Sequence, residues 1–143
     1  QGRSGIVPFT EPKSSRSSML VDLDNDGDLD LVTLDMNDKP QILRSNLSES
    51  AKINYAKITL QGINSNRNAI GATVVVKSGE KTLTRFVDGK SGYLAQSVTP
   101  LYFGLGESSK IDSISVNWPS GKRQTLTTDI ELNRLINIQE PSQ

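Results

Sequence analysis

Five aspartates occupy alternate positions between Asp22 and Asp30, within the run DLDNDGDLD. Carboxylates at this density repel one another, and neither a strand nor a turn gains stability from the crowding. A hard divalent cation reverses the argument, because Ca²⁺ takes roughly six to eight oxygen ligands at about 2.3–2.6 Å, often from one compact loop. This stretch therefore predicts a chain that folds locally around an ion.

The spacing D-x-D-x-D-G-x-x-D also predicts which residues hold the ion. The predicted Ca²⁺ ligands are four side chains and one backbone carbonyl, namely Asp22, Asp24, Asp26 and Asp30 through their carboxylates and Asp28 through its carbonyl. The side chain of Asp28 is expected to be free. Gly27 lies where the chain must turn sharply, and a positive φ costs glycine little.

Other interpretations of the acidic run fit less well. An EF-hand needs a bidentate glutamate at the twelfth position, where this chain has Thr33, and residues 31–34 are apolar and β-branched, which favours a strand. A solvated acidic turn does not explain the regular spacing together with the glycine. Mg²⁺ retains more of its water than Ca²⁺ does, so Ca²⁺ is the predicted ion.

The segments on either side of the acidic run predict a strand–loop–strand unit. It resembles the integrin-type FG-GAP or VCBS repeat, one blade of a β-propeller, through MLVD at 19–22, DLV at 30–32 and QILRSN at 41–46. The resemblance implies a structural ion that clamps a hairpin loop, and a calcium-binding blade or blade remnant over residues 1–50. The acidic repeat occurs once, so we expect preceding propeller blades in a longer chain of which this is the C-terminal part.

Composition excludes several function classes. The chain has no cysteine and no histidine, so a thiol nucleophile, a disulfide and a histidine base are all absent. The aspartates are too tightly clustered to flank a glycosidic bond. The net charge of zero and the pI near 6.5 give no sign of the basic surface that binds nucleic acid. No apolar run is long enough to span a membrane, and no signal peptide is visible. The sequence therefore predicts a protein that is not an enzyme.

From about residue 51 the chain has short alternating segments separated by polar turns, which is typical of an all-β sandwich or barrel. Ile70, Ala72, Val74 and Val76 are expected on one face of a strand. The predicted strands cover residues 56–60, 70–76, 83–87, 93–97, 101–103, 111–118, 124–126 and 135–138. No amphipathic helix of useful length is predicted.

These segments resemble the ASPIC/UnbV domain over roughly residues 55–140. The motifs that carry the resemblance are SNR at 65–67, IGA at 70–72, GYL at 92–94, QS at 96–97, FGLG at 103–106 and WPSG at 118–121. In that family the domain follows FG-GAP/VCBS blades, which is the order found here. The predicted fold is thus all-β, an antiparallel β-sandwich over residues 51–143 with an N-terminal propeller-type calcium-loop hairpin.

A few residues outside the acidic run invite functional interpretations. Trp118, Tyr93 and Tyr102 would suit a sugar-stacking platform, although Trp118 shares a face with core residues and is expected to pack inside. Arg67 and Arg85 would suit an anionic ligand, with a solvated face as the alternative.

The glycine pair in residues 104–106 is expected to form a tight turn, because it lacks the context of a nucleotide loop. Residues 46–48 form a glycosylation sequon, which matters only in a eukaryotic secretory protein.

The sequence as a whole predicts a non-catalytic, calcium-stabilised module for binding, adhesion or scaffolding. Its expected location is extracellular, at the cell surface or periplasmic, and its expected partner is a protein or glycan surface. Two alternatives remain open at this point: a carbohydrate-binding module with an exposed aromatic face, and an accessory domain of a secreted enzyme. Exposure of Trp118 and Tyr93 is the observation expected to separate the first alternative from the main prediction.

Overall fold

The structure is a computed structural model that describes residues 13–142. This part of the chain is built from strands, with a single four-residue helix, which confirms the all-β prediction. The elements are β1 (Ser15–Val21), β2 (Asp30–Asp35), β3 (Gln41–Leu43), α1 (Leu47–Ser50), β4 (Asn54–Gln61), β5 (Thr73–Ser78), β6 (Lys81–Phe86), β7 (Lys90–Gly92), β8 (Ala95–Gln96), β9 (Leu101–Gly106), β10 (Ser113–Asn117), β11 (Arg123–Leu126) and β12 (Leu135–Gln139). Within the same residues, no helix combines the length and the hydropathy needed to cross a membrane.

The chain divides into two compact units. The first unit contains residues 13–53 and Lys90–Ser97, and the second contains Asn54–Gly89 and residues 98–142. Residues 90–97, which the sequence prediction placed in the domain 51–143, are thus grouped with the first unit in the structure. Strands β7 and β8 extend the sheet of the first unit, where Gly92 pairs with Ser17 of β1 and the Tyr93 N–H donates to the Arg16 carbonyl oxygen at 2.8 Å.

The first unit is one antiparallel sheet with the strand order β3-β2-β1-β7-β8. Strands β1 and β2 pair from Ser15 opposite Asp35 to Val21 opposite Asp30, so the acidic run forms the loop of this hairpin, as the sequence predicts. Among the described residues of this unit, no apolar side chain is buried. Three that are more than half exposed are Leu20, Leu34 and Ile42.

The second unit contains two sheets, with strand orders β11-β10-β5-β6 and β12-β4-β9. The four-stranded sheet is antiparallel throughout. In the three-stranded sheet β12 runs parallel to β4, with Leu135 opposite Lys57 and Gln139 opposite Gln61, so the prediction of a wholly antiparallel arrangement is wrong for this pair. No hairpin links these two strands, so chain connectivity does not impose an antiparallel direction on them.

Both sheets of the second unit contribute side chains to one hydrophobic cluster. Ile58 and Phe103 come from the three-stranded sheet, whereas Val76 and Ile114 come from the four-stranded sheet, and each is at most 1% exposed. Strand alternation explains which side chains are buried, because every second residue of these strands points to the same side of its sheet. Complete burial of each such side chain contributes about 1.5–3 kcal/mol, so this cluster is the main source of stability in the unit.

The structure corrects several local predictions in and around these strands. Ile70 is exposed rather than aligned with Ala72, because a turn with positive φ at Gly71 precedes β5. Residues 104–106 belong to β9 and bury Leu105, so they are not a tight turn. Residues 93–97 are not one strand, since Leu94 has φ +54 in the turn between β7 and β8.

Candidate metal-binding loop

The candidate metal-binding loop, residues 22–29, joins β1 to β2. Val21 and Asp30 pair directly across the hairpin, so the loop begins and ends at neighbouring positions. Two residues with positive φ turn the chain, Asn25 at 60° and Gly27 at 96°, which confirms the conformation predicted for the glycine. Asparagine tolerates this region better than most side chains do, so the sequence is locally suited to a tight acidic loop.

Three of the predicted ligands converge. Asp22, Asp24 and Asp26 each offer a carboxylate oxygen, and these oxygens lie within 4.8 Å of one another. Two oxygens bound to the same Ca²⁺ at about 2.3–2.6 Å are at most about 5.2 Å apart. The loop therefore places these three carboxylates where one ion can reach all of them.

Hydrogen bonds within the loop hold the carboxylates in this arrangement. The Gly27 N–H donates to Asp22 Oδ2 at 3.2 Å, and the Asp28 N–H donates to Asp26 Oδ1 at 3.0 Å. The Asp28 N–H and the hydroxyl of Ser48 lower the pKa of Asp26 from its ordinary value. Asp26 is therefore ionised at neutral pH, which is the state a cation requires.

Asp30 lies outside the converging group and braces the loop instead. Its side chain is 1% exposed. Oδ2 accepts a hydrogen bond from the Leu23 N–H at 2.9 Å, and Oδ1 accepts one from the Ser45 N–H at 2.8 Å. Both oxygens thus satisfy backbone donors, and they fasten the start of the loop to the segment that follows β3.

Asp28 does not have the free side chain that the sequence led us to expect. It is 2% exposed, because helix α1 lies against it and the Ser48 N–H donates to its Oδ2 at 2.8 Å. Its Oδ1 is buried and accepts no hydrogen bond from the described residues. A buried carboxylate oxygen without a donor is costly, which makes this atom a point of unsatisfied negative charge beside the loop.

Two residues that support the loop from outside, Arg44 and Ser48, were not predicted from the sequence. The Ser48 hydroxyl donates to Asp26 Oδ2 at 2.7 Å, and Arg44 Nε lies 2.5 Å from Asp24 Oδ2. Both residues come after β3, well beyond the acidic run in sequence. The β2–β3 turn reverses the direction of the chain and so brings them back to the loop. The signal available was the polar stretch at residues 44–48, which the sequence linked to the FG-GAP/VCBS resemblance and to a glycosylation sequon but not to the carboxylates.

A second carboxylate of the chain, Glu140, was also missed. It is 1% exposed in the second unit, and its Oε2 accepts N–H donors from Ile63, Asn64 and Ser65 at 2.7–2.8 Å. Its Oε1 accepts the hydroxyls of Ser65 at 3.0 Å and Ser120 at 2.5 Å. Although burial acts to raise the pKa of Glu140, these donors lower it to about 2. Glu140 thus fastens the end of the chain to two turns.

The aromatic residues do not form the platform considered from the sequence. Trp118 is 3% exposed, and its Nε1 donates to Gln124 Oε1 at 3.1 Å, which confirms core packing. Tyr93 is 66% exposed in the first unit, with the Arg16 guanidinium 5.5 Å from its ring centroid. Tyr102 stacks on Tyr55 with the ring centroids 5.6 Å apart. Burial of Trp118 removes the largest aromatic surface that a stacking site would need.

Comparison with known proteins decides the family. The family model described as ASPIC and UnbV matches residues 62–143, which is more than half of the chain. The chain belongs to this family. The match confirms the resemblance found in the second half of the sequence, and the FG-GAP/VCBS resemblance of the first 50 residues remains a prediction.

Two curated relatives are both called cartilage acidic protein 1. The protein from Xenopus tropicalis is 32% identical over 127 residues, covering 85% of this chain and 19% of the relative. The protein from Mus musculus is 32% identical over 130 residues, covering 86% of this chain and 19% of the relative. The chain therefore spans about a fifth of the length of the relatives it matches.

Proposed function

We propose that the chain is a non-catalytic, calcium-stabilised module that serves adhesion or scaffolding in an exported or cell-surface protein. The observation that carries this proposal is the convergence of the Asp22, Asp24 and Asp26 oxygens within 4.8 Å. The location is supported by the name of the relatives, cartilage acidic protein 1. Its partner would be a protein or glycan surface.

The residues of the loop fit Ca²⁺ chemically. The converging group offers only carboxylate oxygens, which hard cations prefer over nitrogen or sulfur. Asp28, in the same loop, has a buried Oδ1 that accepts no hydrogen bond from the described residues. Asp22, Asp24 and Asp26 are the residues that would hold the ion, and Asp30 would keep the loop attached to β3.

The non-catalytic part of the proposal rests on the chemistry of the side chains. The sequence contains no cysteine or histidine, and its densest carboxylates are grouped in one loop. The lowered pKa of Asp26 makes this residue a poor general acid at neutral pH, and a bound cation would lower it further.

The architecture that we propose is a propeller-type blade followed by a β-sandwich. In the first unit the sheet leaves Leu20, Leu34 and Ile42 more than half exposed, which suits a blade that packs against preceding blades of a longer protein. In the second unit the two sheets share one hydrophobic cluster, as the layers of a sandwich do. The greater length of the relatives leaves room for further blades.

Ion binding can be tested residue by residue with an ¹⁵N-labelled sample, by adding Ca²⁺ to chelator-treated protein. We expect the amide signals of Gly27, Ser45 and Ser48 to shift, because these N–H groups donate to carboxylates in or beside the loop. Mg²⁺ should produce smaller shifts at equal concentration. The Asp24→Asn variant should respond weakly, whereas the matched variant Asp112→Asn, in the second unit, should respond as the wild type does.

The absence of catalysis can be tested by screening purified protein on panels of glycans and esters. We expect no turnover above that of buffer. Turnover that disappears in the Asp26→Ala variant would overturn the proposal, because it would assign a chemical role to the loop.

A further inference from the structure

The second unit contains a surface cavity of about 440 Å³, open to solvent, beside strands β4 and β12. This volume lies in the range of small-molecule sites, which is roughly 300–1,000 Å³. Its polar lining comes from the two strands and from the turn that follows β4: Thr59, Gln61, Arg67, Asn68, Asn137 and Gln139.

Strand register explains why the polar residues meet. Thr59 pairs with Asn137, and Gln61 pairs with Gln139, so two adjacent cross-strand pairs present hydroxyl and amide groups side by side. The intervening residues of both strands have the opposite parity, and one of them, Ile138, is buried in the hydrophobic core. The polar pairs therefore occupy the face of the sheet that the core does not use.

The turn that carries Arg67 is held in place by the backbone. The Gly62 N–H donates to the Arg67 carbonyl oxygen at 3.1 Å, and Glu140 accepts hydrogen bonds from three consecutive N–H groups of the same turn. A Cβ at Gly62 would lie 2.2 Å from the Asn66 carbonyl oxygen, which shows how closely the turn is packed. Arg67 and Asn68 are thus presented from a preorganised segment, which lowers the entropic cost of binding.

Most polar groups around this cavity have no partner in the described part of the protein. The side chains of Gln61, Arg67, Asn68 and Gln139 are exposed to solvent, and they make no hydrogen bond or ion pair with the described residues. Asn137 Oδ1 accepts the Thr59 hydroxyl, which leaves the Asn137 amide donors available. The cavity accordingly offers one fixed positive charge and several groups that can both donate and accept.

The composition of the lining indicates the class of ligand. Arg67 is the only charged residue among the lining residues, so the cavity favours an anion, and a guanidinium can form two parallel hydrogen bonds with a carboxylate. Side-chain amides complement hydroxyl groups, because both donate and accept. Glu140 is adjacent in sequence to Gln139, but its carboxylate is directed at the donors of residues 63–65 and 120. We infer that the cavity binds a uronic acid residue of a glycan, with Arg67 holding the carboxylate and the amides holding the hydroxyls.

The test is a titration of ¹⁵N-labelled protein with digalacturonate, with maltose as the neutral sugar and the peptide Gly-Glu-Gly as a carboxylate without hydroxyls. A chelator is present throughout, so that neither the acidic loop nor a uronate–calcium complex contributes. We expect digalacturonate to shift the amides of Gln61, Asn68 and Asn137, more weakly as salt is added. Maltose and the peptide should bind at least about tenfold more weakly, since each lacks one half of the recognised chemistry.

Arg67→Gln removes the charge and keeps a polar side chain of similar reach. We expect this variant to bind digalacturonate about ten- to a hundredfold more weakly, whereas Arg123→Gln, at an exposed arginine on β11 that does not line the cavity, should bind as the wild type does. Unchanged thermal unfolding of both variants, followed by Trp118 fluorescence, shows that each is folded. Equal binding of maltose, equal binding of the peptide, full affinity in Arg67→Gln, or no shifts at about 10 mM digalacturonate would each overturn the inference.

Discussion

Replacing Glu140 with glutamine should destabilise the second unit. It should also remove part of the pH dependence of the stability of this unit. The carboxylate accepts five hydrogen bonds, from three backbone N–H groups and two serine hydroxyls. A glutamine amide has one acceptor oxygen and turns the other position into a donor, so some of these five donors lose their partner inside the protein. The loss of stability should therefore be largest at those pH values at which the carboxylate of Glu140 is ionised in the wild type.

The direction of the pH effect follows from the pKa of Glu140, which the donors lower from 4.5 in the unfolded chain to about 2 in the folded protein. A lowered pKa stabilises the folded state above about pH 5, and this contribution is lost as the pH falls from about 4.5 towards 2. Each pH unit in this window changes the unfolding equilibrium constant by up to about tenfold, so the full effect is on the order of 100-fold.

Urea titrations of wild type and Glu140→Gln at a series of pH values between 7 and 2 would measure this contribution. Trp118 is the only tryptophan of the chain and is buried in the second unit, so its fluorescence reports unfolding of that unit. Other carboxylates also lose stabilising contacts in acid, for example Asp112, whose pKa is lowered by Lys110 and by the Gly79 N–H. The difference between the two proteins removes these shared effects.

The predicted result is a stability gap that is wide at pH 7 and narrows steadily below about pH 4.5. Glu131→Gln is the matched control, because Glu131 pairs with Arg134 on the surface and its loss should change the unfolding constant by no more than about two- to threefold. A gap of constant width from pH 7 to pH 2 would show that the fold does not hold the carboxylate of Glu140 ionised, and the prediction would then be wrong.

Three further predictions concern packing and the acidic loop. Gly62→Ala should cost about 1–3 kcal/mol, because its Cβ would lie 2.2 Å from the Asn66 carbonyl oxygen, whereas Gly104→Ala has ordinary contacts and should be tolerated in the same urea assay. Phe103→Ala should destabilise the second unit by about 3–5 kcal/mol in that assay, since the side chain is fully buried. Asp30→Asn should cost about 1–3 kcal/mol in the first unit, because both oxygens accept backbone N–H groups. Hydrogen exchange should then accelerate in β1 and β2 while the second unit keeps its protection; equal acceleration in both units would contradict the bracing role.

Features that depend on neighbouring residues were predictable from the sequence. The acidic hairpin follows from ligand-like spacing between two apolar segments, residues 19–21 and 31–34, and the structure has that hairpin with the expected positive φ at Gly27. The core face of β5 follows from strict alternation, which is correct for Val74 and Val76 and fails at Ile70, where a turn interrupts the period. Local patterns thus identified the strands, but they did not show where a turn interrupts the alternation of buried and exposed residues.

Features that depend on contacts distant in sequence were not predictable. Ser48 contacts Asp26 and Asp28 only because three strands pair and bring it to the loop. No pattern in the acidic run therefore predicts these contacts. Glu140 meets Ser65 across 75 positions, so the residues next to Glu140 in sequence do not indicate this contact. Strands β7 and β8 are three and two residues long, so their pattern was too short to assign them to the first sheet.

Calorimetric titration of chelator-treated protein would measure directly whether the acidic loop binds Ca²⁺, as we propose. We expect one site per chain with an affinity of about 10⁻⁴–10⁻³ M, which corresponds to a stabilisation of only about 0.4–1.4 kcal/mol at 1 mM Ca²⁺. The heat should disappear in Asp24→Ala and persist in Asp38→Ala, an exposed aspartate outside the loop. Absence of heat in the wild type, equal affinity for Mg²⁺, or an unchanged titration of Asp24→Ala would contradict the account.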